Sequence, residues 1–158
     1  MTAPAKAITD LAYPARLYRD EGAWSVEFRD VEGVFTWGET RDEAIFNAQD
    51  ALDGMLSVMI QEGDEIAWPG KARKTDVLIP VSAHVAAPLL LYLTRRQQDL
   101  SMAEVARRLK VTYQAYQRME KVGGNLTLKN LERAAAAMGA AVELRMIPLS
   151  QFGKPPRK

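Results

Sequence analysis

The chain has 158 residues, which is enough for one domain of average size or two small ones. It contains no cysteine, which excludes disulfides and thiolate chemistry, and its single histidine makes a zinc site unfavourable. The most apolar run is interrupted by Pro80 and Pro88, and the N-terminus lacks the apolar segment of a signal peptide. We therefore expect a soluble cytoplasmic protein with no membrane partner, no cofactor and no metal.

The formal net charge of +1 hides a strong asymmetry along the chain. Residues 1–88 contain 8 Lys/Arg and 15 Asp/Glu, a net charge of −7, whereas residues 89–158 contain 13 Lys/Arg and 5 Asp/Glu, a net charge of +8. A basic half suits nucleic acid, and an acidic half suits a basic protein. The change of sign coincides with a predicted domain boundary, which favours two functional units over a chance distribution of surface charge.

The first half of the sequence predicts three consecutive strands. In "AWSVEFRD", Trp24, Val26 and Phe28 alternate with polar residues, which is the period-two pattern of a half-buried strand. The preceding segment "PARLYRD" predicts its hairpin partner, with Gly22 in the turn between them. The segment "GVFTWGE" predicts a third, short strand.

A long helix and a fourth strand complete this half. Thr40 and Glu43 form a T-x-x-E capping box, and apolar residues then recur every three or four positions until Gly63. Gly54 lies inside this helix at an unfavourable position, which a close packing contact there would explain. The segment "VLIPVS" predicts an edge strand, because Pro80 cannot donate a ladder hydrogen bond. The order β-β-β-α-β describes a small α+β sandwich.

The second half changes to helical periodicity. Pro88 is predicted to begin a helix in "LLLYLTRRQQD", and Ser101 with Glu104 forms a second capping box. Thr112 and Thr127 are predicted to cap two further helices. Four apolar residues of the last helix are expected to face the core: Leu128, Leu131, Ala135 and Met138. Alternating apolar residues in "AVELRMI" indicate a short terminal strand.

Two short helices joined by a tight turn and flanked by further helices describe a helix-turn-helix domain. In such a domain the second helix enters the DNA major groove, where Gln suits adenine and Arg suits guanine. In "VTYQAYQRMEK" we expect Tyr116 and Met119 to face the core. The outer face then carries the candidates for base contacts: Tyr113, Gln114, Gln117 and Arg118. Candidates for phosphate contacts surround them: Arg107, Arg108, Lys121, Asn125, Thr127 and Lys129.

The segment "LSMAEVARRLKVTYQAYQRMEK" resembles the core pattern of the repressor-type (Xre-like) helix-turn-helix family. The matching residues are Leu100, Glu104, Ala106, Leu109, Val111, Arg118 and Glu120. Lys110 stands where this family usually has Gly, so a lysine must adopt a left-handed turn conformation at some cost in strain. The alternative for this segment is a packing module whose polar residues are only solvated.

The first half carries no sharp catalytic motif. Asp30, Glu32, Asp42 and Glu43 could bind a metal, but carboxylates in a first helical turn usually interact with the helix dipole. His84 has no nearby Ser, Cys or second His to work with. We therefore expect no enzymatic activity.

This half is similar to the HicB antitoxin pattern of Y-P, a hairpin, F-x-D-x-x-G, G-x-T and E-A-x-x-N-A-x-x-A-L. The matching residues are Tyr13, Pro14, Phe28, Asp30, Gly33, Gly38, Thr40, Glu43, Ala44, Asn47, Ala48, Ala51 and Leu52. The resemblance implies a partial RNase H-like fold without its catalytic carboxylates. It also implies a protein that occludes the active site of HicA, a small basic mRNA-cleaving toxin, and that represses its own operon.

Together these patterns predict a HicB-like toxin-neutralising domain over residues 12–82 and a helix-turn-helix DNA-binding domain over residues 86–148. The expected partners are a HicA-like toxin, operator double-stranded DNA and further copies of this chain, as a homodimer or higher homo-oligomer. The toxin-contacting residues are unknown, and Trp68 in its polar loop is the best exposed candidate. A ligand-sensing transcriptional regulator and an enzyme fused to a DNA-binding domain are the alternatives.

Overall fold

Four strands and five helices follow one another along residues 11–149, the part of the chain that the computed structural model describes. The strands are β1 (Ala12–Asp20), β2 (Ala23–Phe28), β3 (Phe35–Gly38) and β4 (Asp76–Pro80). The helices are α1 (Arg41–Glu62), α2 (Ala83–Gln97), α3 (Met102–Leu109), α4 (Tyr113–Met119) and α5 (Leu128–Ala137). The predicted order β-β-β-α-β followed by helices is confirmed, and the fold class is α+β.

The strands form one antiparallel sheet in the order β3-β2-β1-β4. β1 and β2 are joined by a tight turn in which Glu21 (φ 47°) and Gly22 (φ 88°) both have positive φ. This conformation matches the right-handed twist of a hairpin. β4 lies at an edge of the sheet, in agreement with the position of Pro80 in its sequence. The inner face, which carries the buried Tyr13 and Val26, packs against α1.

Helix α1 begins and ends where its sequence signals predicted. The hydroxyl of Thr40 accepts a hydrogen bond from the backbone N–H of Glu43 at 3.2 Å, and Gly63 ends the helix in the left-handed conformation. The predicted capping box forms only in part, because the carboxylate of Glu43 accepts from the backbone N–H of Glu39, at 2.8 Å, one residue before the N-cap Thr40. The side of α1 that packs on the sheet carries Ala44, Ile45, Ala48, Leu52, Leu56 and Ile60.

Gly54 does not make the close packing contact that was predicted for it. It is exposed in the middle of α1, and a Cβ added there would meet no atom within 4 Å. Glycine in a helix interior costs about 1 kcal/mol relative to alanine, because it loses more backbone freedom on folding. No contact within the described chain accounts for this cost.

The start of α2 corrects the prediction that Pro88 begins this helix. The helix starts at Ala83, with Ser82 at its N-cap, and Pro88 lies inside it. A proline inside a helix removes one backbone hydrogen bond. Burial of Val85 and Leu89 in the first core favours the helix in spite of this loss.

A second hydrophobic core lies among α2, α3, α4 and α5. Its buried members are Leu91, Val105, Ala106, Leu109, Tyr116, Leu131, Ala134 and Met138. The prediction for Leu128 is wrong, since this residue is 60% exposed at the first position of α5. Leu131, Ala135 and Met138 are buried as predicted. Because α2 contributes Tyr92 to the first core and Leu91 to the second, one helix connects the two cores.

The strand predicted in "AVELRMI" is absent, since residues 141–147 belong to no helix or strand. Val142 packs against the second core, but Leu144 and Met146 are 70% and 97% exposed. An alternating pattern indicates a strand only where a neighbouring strand supplies hydrogen-bond partners. The four-stranded sheet does not include this segment within the described chain.

Candidate nucleic-acid interface

The turn between α3 and α4 is built from local hydrogen bonds that the sequence signalled. At the start of α3, the hydroxyl of Ser101 accepts from the N–H of Glu104, whose carboxylate accepts from the N–H of Ser101 at 2.7 Å. These bonds hold the pKa of Glu104 below its ordinary value. Lys110 ends α3 in the left-handed conformation (φ 56°, ψ 42°), as the family pattern required. Thr112 then caps α4 by accepting from the N–H of Ala115.

Helix α4 divides into a core side and a solvent side. Tyr116 is fully buried, and Met119 packs against the same core, as predicted. Tyr113 is 46% exposed, and Gln114 and Arg118 are also exposed. The fourth candidate for a base contact, Gln117, is half-buried and therefore less accessible than the other three. The solvent side of α4 can therefore present an aromatic ring, an amide and a guanidinium to a partner.

A buried ion pair fixes α4 against α2. The guanidinium of Arg95 donates from Nε and Nη2 to the two carboxylate oxygens of Glu120, at 2.7 and 3.0 Å. A further bond runs from Nη1 to the backbone oxygen of Leu100, and the hydroxyl of Tyr116 donates to Glu120 at 2.6 Å. Both charged residues are at most 6% exposed, so this bidentate pair is shielded from water.

Burial and the contact with Glu120 both shift the pKa values of Tyr116 and Arg95. Burial raises the pKa of Tyr116 well above its ordinary range, and the neighbouring carboxylate raises it further. Burial by itself would lower the pKa of Arg95, but the hydrogen bonds from its guanidinium to Glu120 raise it above its ordinary value. The cluster therefore keeps a protonated phenol and a charged guanidinium around one carboxylate.

This ion pair was not predicted from the sequence, although the position of Arg95 carries a signal for it. Arg95 follows the buried Leu91 and Tyr92 at spacings of four and three, so it lies on the core-facing side of α2. A charged residue at such a position requires a buried partner. Glu120 was noted only as a match to the family pattern.

The candidates for phosphate contacts all lie at the surface, around the ends of α3, α4 and α5: Arg107, Arg108, Lys121, Asn125, Thr127 and Lys129. Two of them also have structural roles. The Arg108 guanidinium donates to the backbone oxygen of Ala137 at 3.2 Å, and the Thr127 hydroxyl accepts from the N–H of Asn130. Asn125 has a positive φ of 56° in the loop between α4 and α5. The side chains of Arg108 and Thr127 remain exposed in spite of these hydrogen bonds.

Contrary to the prediction from the sequence, Trp68 is not the most exposed tryptophan in the first half of the chain. Trp68 is half-buried and packs against the first core, because its loop is fastened by a hydrogen bond from the Tyr13 hydroxyl to the backbone oxygen of Ala67. Trp37 on β3 is 55% exposed, and Phe35 beside it is 56% exposed. Both lie on the sheet face opposite to α1, since their neighbours along β3 face the helix side.

Two of the carboxylates considered for a metal make hydrogen bonds to the backbone. Asp30 accepts from the N–H of Gly70 at 2.9 Å, and Glu43 accepts from the N–H of Glu39 at 2.8 Å. Among residues 11–149, no three His, Asp or Glu side chains are grouped so that they could hold a metal ion.

A second ion pair, also missed by the sequence analysis, holds β4 to the end of β2. The guanidinium of Arg29 donates to both carboxylate oxygens of the buried Asp76, and the backbone N–H of Arg73 adds a further bond. Burial raises the pKa of Asp76, but these bonds outweigh it and leave the pKa below its ordinary value.

Comparisons with known proteins assign both halves of the chain to families. Residues 12–89 match the family described as HicB_like antitoxin of bacterial toxin-antitoxin system, and residues 91–144 match the family described as Helix-turn-helix. The chain is 33% identical to Antitoxin HicB 2 of Photorhabdus laumondii over 135 residues, which are 85% of this chain and 96% of that protein. The chain belongs to the HicB antitoxin family.

The resemblance that the sequence motifs indicated is therefore confirmed, together with the Xre-like helix-turn-helix domain. This HicB family member is also 29% identical to Antitoxin HicB of Escherichia coli K12, over 87% of this chain and 100% of that protein. The crystal structure of the Burkholderia Pseudomallei antitoxin HicB is similar over 47% of this chain and 65% of that chain, with 24% identity and a TM-score of 0.41. No helix among residues 11–149 is long and apolar enough to cross a membrane.

Proposed function

We propose that this HicB family member neutralises a small RNA-cleaving toxin of the HicA type and represses its own operon by binding operator DNA. The proposal rests on the combination of a HicB-like domain and a helix-turn-helix domain in one chain. In the second of these, the ion pair between Arg95 and Glu120 holds α4 against α2. The net charge of −7 over residues 1–88 supports a basic protein partner. The net charge of +8 over residues 89–158 supports a nucleic-acid partner.

In the proposed DNA complex, α4 enters the major groove with its exposed side towards the bases. Gln114 would bond an adenine, Arg118 would bond a guanine, and Tyr113 would contact a phosphate or a thymine methyl group. Gln117, which is half-buried, would contribute from the edge of this face. The exposed candidates for phosphate contacts named above would position the domain and make its affinity depend on salt.

We further propose that residues 12–82 act as the toxin-binding unit and residues 86–148 as the DNA-binding unit, with α2 as their shared element. A dimer would present two α4 helices to half-sites about 34–36 Å apart, one turn of the DNA duplex. In this arrangement the chain acts without a cofactor and without catalysis of its own.

The test is a rescue experiment with the reading frame that neighbours the gene of this chain. Expression of that frame alone should arrest growth, and co-expression of the full chain should restore it. A neighbour that does not arrest growth, or an arrest that the chain does not relieve, would refute the antitoxin assignment. Release of the operator by a small molecule in the absence of any such neighbour would instead identify a ligand-sensing regulator.

A further inference from the structure

The outer side of α1 exposes two large apolar side chains. Phe46 is 69% exposed and Val58 is 54% exposed. Phe46, Asp50, Gly54 and Val58 follow one another at intervals of four, so they lie along one side of the helix, away from the row that packs on the sheet. Phe46 and Val58 are separated by about 18 Å along the helix axis, so they mark the two ends of this side of α1. Exposed aromatic and aliphatic side chains can act as anchors of a protein–protein contact.

Gly54 lies between these two side chains, and no contact within the described chain requires a glycine there. A Cβ at this position would point into open space, and the helix would be more stable with alanine there. Glycine removes the side chain that would keep another backbone at a distance. A partner element that packs closely across α1 at this point would explain why the chain carries glycine.

The charge of α1 identifies the chemistry of this partner. The helix contains five carboxylates and one cation: Asp42, Glu43, Asp50, Asp53, Glu62 and Arg41. Asp50 is the carboxylate in the outer row, whereas Asp53 is half-buried and accepts a hydrogen bond from the backbone N–H of Ser82. Two copies of this face would bring the Asp50 carboxylates and the acidic ends of the helix together, which disfavours a symmetric contact through α1. A basic protein surface is the complementary occupant.

We propose that the outer face of α1, centred on Gly54 and bordered by Phe46 and Val58, is the docking surface for the basic toxin. This assignment rests on the proposed antitoxin function and adds the location of the contact. Phe46 is its apolar anchor, Asp50 is its charged contact, and Gly54 is the point of closest approach.

The experiment measures binding of the full chain to the toxin from the rescue experiment, with RNA cleavage inactivated by substitution. Gly54→Gln should raise the Kd at least tenfold, because its side chain blocks the approach of the partner. Phe46→Ala should raise the Kd similarly. Gly54→Ala should raise the Tm of the free chain by about 2–4 °C, which separates loss of binding from loss of folding. The matched control is Ala136→Gln, which adds the same side chain at an exposed position of α5 and should leave the Kd unchanged.

Three outcomes would overturn the proposal. Unchanged affinity in both Gly54→Gln and Phe46→Ala would remove α1 from the interface. Loss of binding in Trp37→Ser alone would place the toxin on the open face of the sheet. A change in the mass of the free chain on Gly54→Gln, measured by light scattering, would show that the basic half of a second copy occupies α1. Failure of the wild-type chain to rescue growth is a separate result, because it refutes the antitoxin function itself.

Discussion

The carboxylate of Glu120 receives hydrogen bonds from Arg95 and Tyr116 and lies almost entirely out of water. Such a cluster adds little net stability over an apolar core of the same volume, but it is costly to break. Its consequence is positional, because one carboxylate joins α2 to the C-terminal end of α4, the helix proposed to face DNA.

Glu120→Gln should lower the free energy of unfolding by about 3–5 kcal/mol, since the guanidinium of Arg95 would stay buried without an opposite charge. Urea denaturation measures this loss. Glu132→Gln is the matched control on α5, where the exposed side chain should change stability by less than about 0.5 kcal/mol. Equal stability of the two variants would contradict the role assigned to the cluster.

The exposed side chains of α4 make the second prediction at this scale. Gln114→Ala or Arg118→Ala should each weaken operator binding by about 1–3 kcal/mol and relax the sequence preference at one base position. Lys129→Ala should weaken binding to all sequences alike and flatten the dependence on salt. Quantitative gel-shift titrations over several salt concentrations measure both effects. Unchanged operator affinity in both α4 variants would mean that another element enters the groove.

At the scale of elements, the turn between α3 and α4 stores strain at Lys110. A left-handed residue with a Cβ is unfavourable, whereas glycine adopts the same φ and ψ without a clash. Lys110→Gly should therefore stabilise the chain by up to about 1 kcal/mol, as measured by urea denaturation. Lys110→Ala removes the same charge but keeps the Cβ, so it should give no such gain. A gain in both variants would point to charge repulsion rather than backbone strain.

The helices also differ in how well the sequence predicted where each one begins. The caps Thr40, Ser101, Thr112 and Thr127 were predictable because each bonds to a backbone N–H only three residues away. The start of α2 was not, because the local signal of Pro88 competes with burial of the preceding turn in a core formed by distant strands.

At the scale of the whole molecule, the apolar segment after α5 has no partner strand within the described chain. Leu144 and Met146 are its most exposed alternating side chains. We expect the corresponding segments of two copies to pair as strands, or the edges of the sheets to pair, because an apolar alternating segment and a sheet edge can each add a strand from a second copy. The predicted strand would then form only in the dimer.

A double variant, Leu144→Glu with Met146→Glu, tests this arrangement. It should convert a dimer into a monomer in light scattering at micromolar concentration, because carboxylates would replace the apolar contact. The Tm should fall only by the part that dimerisation contributes and should no longer depend on protein concentration, since both side chains are exposed within one chain. Leu128→Glu, at an exposed leucine of α5, is the control and should keep the dimer. A monomeric wild-type chain would count against the arrangement altogether.

Some properties of this protein follow from short stretches of its sequence. The alternation in β2, the caps and the periodic apolar residues predicted the order of β1 to α5. The prediction that Tyr116 lies on the core-facing side of α4 is confirmed. These signals act between residues that are close along the chain, so they can be recognised without a structure. The charge asymmetry and the family motifs also needed only the sequence.

Tertiary structure alone decided which residues meet across the chain and which remain uncovered. Arg95 and Glu120 are 25 positions apart, and Arg29 and Asp76 are 47 apart, so no local pattern specifies either pair. Trp68 is half-buried in its loop, whereas Gly54 and Trp37 are left exposed by the packing around them. The physical reason is that burial depends on all the elements that surround a side chain, whereas caps and periodicity depend on a single element.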